Sequence, residues 1–298
     1  MLDLLCIGHA SYDISMAIAT HPGPDEKLFA DSMMLSGGGP AANAAVCVRR
    51  LGGEAGFCGY LGNDLFGDLH IRELEKEGVD CSLVVRGAES SPVSHILAKP
   101  DGKRSLVNYK GDTSWLAADA VSISTPPKVM LFDGHEPLLS VPLCHWAIGQ
   151  GIPTVLDAGS LHRGTEELAG MVDYLVASEK FARQWCQTGD MTRALDELAA
   201  ISENVVITLG ERGLIWARER ERGMLPAFKV EAIDSTGAGD AFHGAFAFGL
   251  AKNMAWCELL SFAAAAGALT CTKLGARPAL PDMDEVKELL RKKERGDG

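Results

Sequence analysis

Short apolar runs bounded by turn residues recur along this chain, with stretches of helical period between them. Leu4-Leu5-Cys6-Ile7 ends at Gly8, and Lys128 to Phe132 repeats the pattern. So do Pro153 to Leu156, closed by Asp157, then Tyr174 to Val176 and Val205 to Leu209. Runs this short and this apolar fit strands covered on both faces. Helices are predicted at Ala41 to Leu51, Leu69 to Glu77 and Pro142 to Gly149. The first has Pro40 in its opening turn and Gly52-Gly53 past its end, the usual start and stop. Phe242 to Leu250, Cys257 to Cys271 and Asp284 to Lys292 read as further helices. The alternation predicts an α/β fold, a mostly parallel sheet flanked by helices.

Two segments break the pattern, Asp13 to Ser36 and Ser91 to Asp112. The second reads as a hairpin: Val93 to Lys99, a tip at Pro100-Asp101-Gly102-Lys103, then Arg104 to Lys110. These segments are either ordinary surface hairpins or a small β-sheet lid inserted into the α/β body. No internal repeat or low-complexity linker divides the 298 residues. The reading is one domain over residues 1–298 with the lid as its appendage.

Charge and cysteine usage narrow the function. The formal net charge is -12, which repels a phosphate backbone and argues against nucleic acid. No run reaches the roughly 18 apolar residues of a membrane span, and the N-terminus lacks a basic leader. The expectation is a cytoplasmic protein with no membrane partner. The eight cysteines are scattered, with no pair at CxxC spacing, so neither a zinc ribbon nor a redox motif is indicated.

The chemistry concentrates in Asp234-Ser235-Thr236-Gly237-Ala238-Gly239-Asp240-Ala241-Phe242. Glycines at 237 and 239 allow a tight turn into a helix. Backbone N–H groups at such a start point outward, with the positive end of the helix dipole behind them. The amides of Gly237, Ala238, Gly239 and Asp240 would form an anion hole for a transferring phosphoryl group. The Asp240 carboxylate would take the proton of an attacking hydroxyl. A bare GxGD also fits a glycine turn with a capping aspartate.

The full nine-residue string resembles the signature of the ribokinase-like (PfkB) carbohydrate kinases. Ser36-Gly37-Gly38-Gly39-Pro40-Ala41-Ala42-Asn43-Ala44-Ala45, leading to Arg50-Leu51-Gly52, is similar to that family's N-terminal motif. There Gly38 and Gly39 let a sugar approach the backbone, and Asn43 offers donor and acceptor. Gly37, Gly39 and Ala42 also match a loose dinucleotide fingerprint, though the acidic partner Glu54 comes too early. Asp13 resembles the family's sugar-hydroxyl ligand, and Gly62 to Gly67 its G-x-D-x-F-G segment. Thr208, Gly210 and Gly213 resemble its T-x-G-x-x-G nucleotide loop. Ala266 and Gly267 fall in its small-residue stretch beside adenine. There is no Walker A sequence.

The resemblance implies a three-layer α/β/α sandwich with a β lid that closes over the sugar. It implies ATP with Mg2+, a K+-like monovalent cation near Asp234 and Thr236, and a homodimer paired through the lids. Two features depart from the family pattern. Ser178 stands where many members have Asn, and Phe181 where they have Glu. Glu179 would then organise magnesium through water, or Ser178 is simply a helix cap. The closest overall likeness is to bacterial sulfofructose kinases and ketohexokinase-like members. Lys27 and Asn108 match lid positions that hold an anionic substrate group there, and both also fit a solvated lysine and a strand-edge amide. His135 replaces the arginine that completes that site, so a sulfosugar is not assigned. His243, just after Asp240, reads as a packing residue.

The leading expectation is an ATP-dependent kinase of a ketohexose or related carbohydrate. The alternatives are a nucleoside kinase of the same family, a non-catalytic sugar-binding regulator and, on the loose fingerprint alone, a dehydrogenase.

Overall fold

A computed structural model of the chain describes residues 1–99, 104–111 and 113–295. Nine strands form the main sheet: β1 (Leu4–Ile7), β4 (Ala55–Gly62), β5 (Asp80–Gly87), β8 (Val129–Phe132), β9 (Thr154–Ala158), β10 (Tyr174–Ser178), β11 (Asn204–Thr208), β12 (Leu214–Arg218) and β13 (Glu221–Leu225). Their order is β13-β12-β11-β10-β9-β8-β1-β4-β5. All neighbours are parallel except β11–β12 and β12–β13. A separate sheet of order β3-β2-β6-β7 contains β2 (Ser11–Ala17), β3 (Ser32–Gly38), β6 (Val93–Ala98) and β7 (Arg104–Tyr109). The helices are α1 (Pro40–Arg50), α2 (Leu65–Lys76), α3 (Pro137–Gly149), α4 (Arg163–Leu168), α5 (Glu179–Cys186), α6 (Met191–Ala199), α7 (Ala238–Ala251), α8 (Trp256–Thr270), α9 (Ala276–Ala279) and α10 (Met283–Arg295).

The period-two rule for side chains on a strand explains the layering. Leu4 and Cys6 join the core under α1, α7 and α8, while Leu5 and Ile7 join the core under α3, α5 and α6. Val129 and Leu131 alternate with Met130 and Phe132 in the same way. Both faces are therefore covered, giving the expected α/β/α sandwich.

Several boundaries differ from the sequence reading, each for a local reason. α2 begins at Leu65 because Asp64 caps it, accepting from the Gly67 amide at 2.8 Å. Leu65 itself is exposed, so its turn carries no apolar period. α3 begins at Pro137 and holds Pro142 inside it. α7 begins at Ala238, earlier than the apolar pattern at Phe242 suggests, because Gly237 turns the chain with φ 79°. β4 was missed because Gly56, Gly59 and Gly62 interrupt its apolar pattern. The hairpin tip at residues 100–103 lies outside the described residues, as does Asp112. Among the described residues no helix is long and apolar enough to cross a membrane.

The sheet order locates the crevice. From β1 the chain moves outward through β4 and β5, then restarts at β8 on the other side. The carboxyl ends of β1 and β8 flank this switch point, where α/β sheets bind their ligands. Asp133, just past β8, ties it together: one oxygen accepts from the His9 amide at 2.8 Å and the Ala41 amide at 3.2 Å. Its other oxygen accepts from the His135 amide at 2.9 Å.

Candidate active site

α7 opens on Gly237 in a left-handed conformation, and a Cβ there would lie 2.8 Å from the Ala276 Cβ. The geometry requires glycine. The Ala238 N–H is drawn into the turn, donating to Ser235 O at 3.3 Å. At Gly239 an added Cβ would meet nothing within 4 Å, so the opening turn faces free space.

Asp240, in that first turn, accepts a hydrogen bond from Asn43 Nδ2 at 2.7 Å. Asn43 is buried in α1, directly after the glycine loop. That loop is small for specific reasons. A Cβ on Gly38 would lie 2.2 Å from Asp13 Oδ2, and one on Gly37 would lie 1.8 Å from Arg277 Nη1. Gly39 has φ 94°, and its Cβ would strike His9 O at 2.4 Å. The three glycines thus fit over a buried carboxylate, a buried guanidinium and the backbone of the crevice. They end a strand of the small sheet that is antiparallel to its neighbour, which removes the dinucleotide reading.

Asp13 is buried on β2 and accepts from Ser11 Oγ at 3.0 Å. Burial pushes its carboxyl up to about 6, against the pull of Arg277. Asn108 lies two strands away in the same row, since Asp13 registers with Ser94 and Ser94 with Asn108. The sheet therefore presents Asp13 and Asn108 on one face. Lys27 stands exposed in the β2–β3 connection and has no hydrogen bond or ion pair to a described site residue. The His135 ring sits between His9, at a centroid distance of 5.1 Å, and His162 at 4.5 Å. Burial and the neighbouring imidazole hold His9 down at about 3 and His162 at about 4.

Behind α7, His243 is buried. Its Nδ1 lies 2.6 Å from Gly239 O and 3.2 Å from Asp157 Oδ2, and its Nε2 lies 3.1 Å from Val176 O. The ring fastens the opening turn of α7 to β9 and β10. Burial pushes the Asp157 carboxyl up to about 7, with His243 opposing the shift. Sequence reasoning took Asp157 only as a strand end.

The nucleotide side departs most from expectation. Ser178 Oγ accepts from the Phe181 amide at 3.0 Å and donates to Gly159 O at 2.8 Å. Its hydroxyl is a helix cap. Glu179 is held below its ordinary range by hydrogen bonds from Arg183 and Arg212, the former at 2.9 Å from Nε. A carboxylate already paired with two guanidinium groups does not fit a direct magnesium ligand. Arg183 was missed although it stands one helical turn after Glu179, and Arg212 because its contact to Glu179 spans 33 residues. Gly213, at φ 87°, is required, since its Cβ would lie 2.0 Å from Leu225 O. Gly210, at φ 61°, faces open space. Thr208 Oγ1 is 3.4 Å from Ala177 O. Ala266 and Gly267 are buried, and a Gly267 Cβ would be 3.0 Å from Ala238 O. They let α8 approach α7 and do not surface in the crevice.

Asp234 closes the loop before Gly237. One carboxylate oxygen accepts from Thr236 N at 2.9 Å and Thr236 Oγ1 at 2.6 Å, and the other from Gly275 N at 2.9 Å. Carboxylate and hydroxyl oxygens are the donors a hard monovalent cation takes, so the pair fits one. No group of three or more His, Cys, Asp or Glu among the described residues is arranged to hold a metal ion.

Comparisons with known proteins identify the family. A profile of the pfkB family carbohydrate kinases matches residues 1–283. The chain is 31% identical over 299 residues to fructokinase-1 of Zea mays, covering 88% of this chain and 91% of that one. It is 29% identical over 298 residues to the ribokinase of Haemophilus influenzae, covering 95% of each. The crystal structure of Thermotoga maritima ribokinase superposes with a TM-score of 0.86 at 26% identity, over 98% of this chain and 100% of that one. This chain belongs to the pfkB family of carbohydrate kinases.

Proposed function

We propose that the protein transfers the γ-phosphoryl group of ATP to a hydroxyl of a ketohexose or a related sugar. The observation that carries this is the 2.7 Å hydrogen bond from Asn43 to Asp240 at the open first turn of α7, beside Gly38 and Asp13. The Asp240 carboxylate, oriented by Asn43, faces the acceptor hydroxyl. Asp240 takes the hydroxyl proton as the sugar oxygen bonds to the γ-phosphorus. The bond to the bridging oxygen breaks, and ADP leaves. Charge developing on the phosphoryl oxygens is met by the amides of the α7 turn and its dipole. Asp13 and the Gly38–Gly39 backbone hold the remaining sugar hydroxyls, with Asn108 and His135 at the rim.

The loop of Gly210 and Gly213 borders the nucleotide. A magnesium ion accompanying ATP would supply positive charge to offset the charge on the transferring phosphates. Asp234 and Thr236 would hold a monovalent cation whose fixed charge steadies the loop entering Gly237. The four-stranded sheet acts as a lid of the single kinase unit, excluding water from the crevice. Its outer face would pair with a second copy. Meeting there are Leu35 and Ile14, and His95 and Val107, in register, with Leu35, Val107 and Tyr109 exposed.

Asp240→Asn tests the assignment. Turnover should fall about a thousandfold, while the sugar still raises the melting temperature. Turnover within about tenfold of the parent would remove Asp240 from the role of base. Initial rates on fructose, ribose and a nucleoside then separate the ketohexose reading from the pentose and nucleoside ones.

A further inference from the structure

Arg277 is the largest fully buried side chain among the described residues, yet no motif marks it. It lies on the short α9, and its guanidinium runs behind the glycine loop into the base of the crevice. Nε is 3.3 Å from Asn43 Oδ1, Nη2 is 3.3 Å from His70 Nε2, and Nη1 is 3.4 Å from Glu73 Oε1. Glu73 in turn accepts from the Gly37 amide at 2.7 Å. The charge faces Glu73 and His70 on α2, Glu77 just past its end, Asp13 and Tyr12 on β2, and Cys81 on β5. Its link to Asp240, on α7, runs through Asn43.

This chain of contacts has a direction. A guanidinium only donates, so the Asn43 atom facing it must be the carbonyl oxygen. The amide nitrogen then faces Asp240, where it is found at 2.7 Å. An N–H donor stabilises the carboxylate form, which is the form that accepts a proton. If the amide turned over, its oxygen would face Asp240 and favour the protonated acid, which is no base. Nothing else within hydrogen-bonding reach of Asn43 Oδ1 fixes its orientation among the described contacts.

We propose that Arg277 is a positioning residue for phosphoryl transfer, acting through Asn43 to keep Asp240 a proton acceptor. The inference rests on Asp240 being the base, and Asp240→Asn tests that separately: if that variant turns over normally, the base assignment itself has failed. Removing Arg277 alone would strand Glu73, so the informative variants keep the charge balanced. Arg277→Lys retains the cation but loses the fork that reaches Asn43. Arg277→Gln with Glu73→Gln removes both charges, and Glu73→Gln alone is its reference.

Folding is verified by circular dichroism and melting temperature. In either folded variant, kcat should fall about tenfold to a hundredfold, with the KM for ATP unchanged. The acid limb of the kcat profile should move to higher pH, because Asp240 has lost its fixed donor. A drop in kcat with the limb unmoved would mean that Arg277 only supports the fold, and the proposal fails. Parental kcat in either folded variant also overturns it. Asn43→Asp tests the step from Asn43 to Asp240 with Arg277 intact. Its carboxylate satisfies the guanidinium and turns an oxygen toward Asp240, so the acid limb must move up. An unmoved limb there overturns the proposal.

Discussion

The two sheets of this kinase are buried in different ways. In the nine-stranded sheet β1, β4, β8 and β9 are buried at every residue. The four-stranded sheet is covered only in part: β2 is buried over its first three residues, β3 over its last three, and β6 at Ser94 and Ile96. Residues 105–109 of β7 are exposed. The large sheet holds its chemical groups against a packed interior, so a change there strikes fold and rate together. The small sheet has a polar row toward the crevice and an apolar row toward solvent. A change there acts on binding or association and leaves the body intact.

The largest effect expected is at the start of α7, which packs on the central strands of the large sheet. Asp240→Asn should cost about three orders of magnitude in kcat with the melting temperature unchanged, because its carboxylate faces the crevice. His243→Phe sharpens the contrast, because there the rate and the fold fall together. The ring no longer serves Gly239 O, Val176 O or Asp157. Leaving Asp157 buried without its partner costs about 3 kcal/mol, read as a lower urea midpoint. The opening turn of α7 loses its anchor, and kcat should fall about tenfold. Stability equal to the parent would show that the pair carries nothing.

These differences follow what a sequence can carry. The strands β1, β8 and β11 were readable because they are continuous apolar runs, the form that burial on both faces demands. Asp240, Gly237, Gly239 and Asn43 were readable because a tight turn and a helix start need them at fixed spacing. Arg277 was not readable: its contact to Asn43 spans 234 residues, and only the folded chain makes it. Asp157 and Arg212 act through similar long-range contacts. Ser178 and Glu179 were read as nucleotide ligands from their place in the chain. The structure engages both with other partners, Ser178 in a helix cap and Glu179 with Arg183 one turn on and Arg212 33 residues away. Ala266 and Gly267 match a small-residue stretch whose cause here is helix packing. The likeness to sulfofructose kinases rests on Lys27 and Asn108, and the fold sets only Asn108 in the row of Asp13.

A smaller effect is expected at Asp13 on the small sheet. Burial raises its carboxyl from 3.8 to about 6. Between those values the folded protein holds a proton that the unfolded chain has released, so this residue's contribution to stability declines as pH rises through that window. A sugar hydroxyl is best received by the carboxylate, so the sugar KM should rise as pH falls below about 6, by up to about tenfold per pH unit. Asp13→Asn should raise KM at pH 8, flatten this dependence and leave the melting temperature at pH 8 no lower. A KM profile unchanged by the substitution would detach Asp13 from the sugar.

The smallest effect on catalysis, and the cleanest separation of the two sheets, is expected at Val107. It lies on the outer row of β7 opposite His95 and is 70% exposed, so it supports neither the core nor the crevice. The row runs from Val107 through His95 and Ile14 to Leu35; exposed Val107 and Leu35 at its two ends would be an unusual use of free surface unless something covers them, and a second copy meeting the same row is self-complementary. Val107→Glu places two carboxylates face to face in such a pair. Sedimentation equilibrium should then show a dimer for the parent and a monomer for the variant. Stability should change by no more than about 0.5 kcal/mol, and kcat should be within about twofold of the parent. A parent that is already monomeric removes the second copy as the partner of this face. A variant that loses turnover along with association would show instead that the two copies complete each other's crevice, and that the small sheet is not the independent element its exposed outer row suggests.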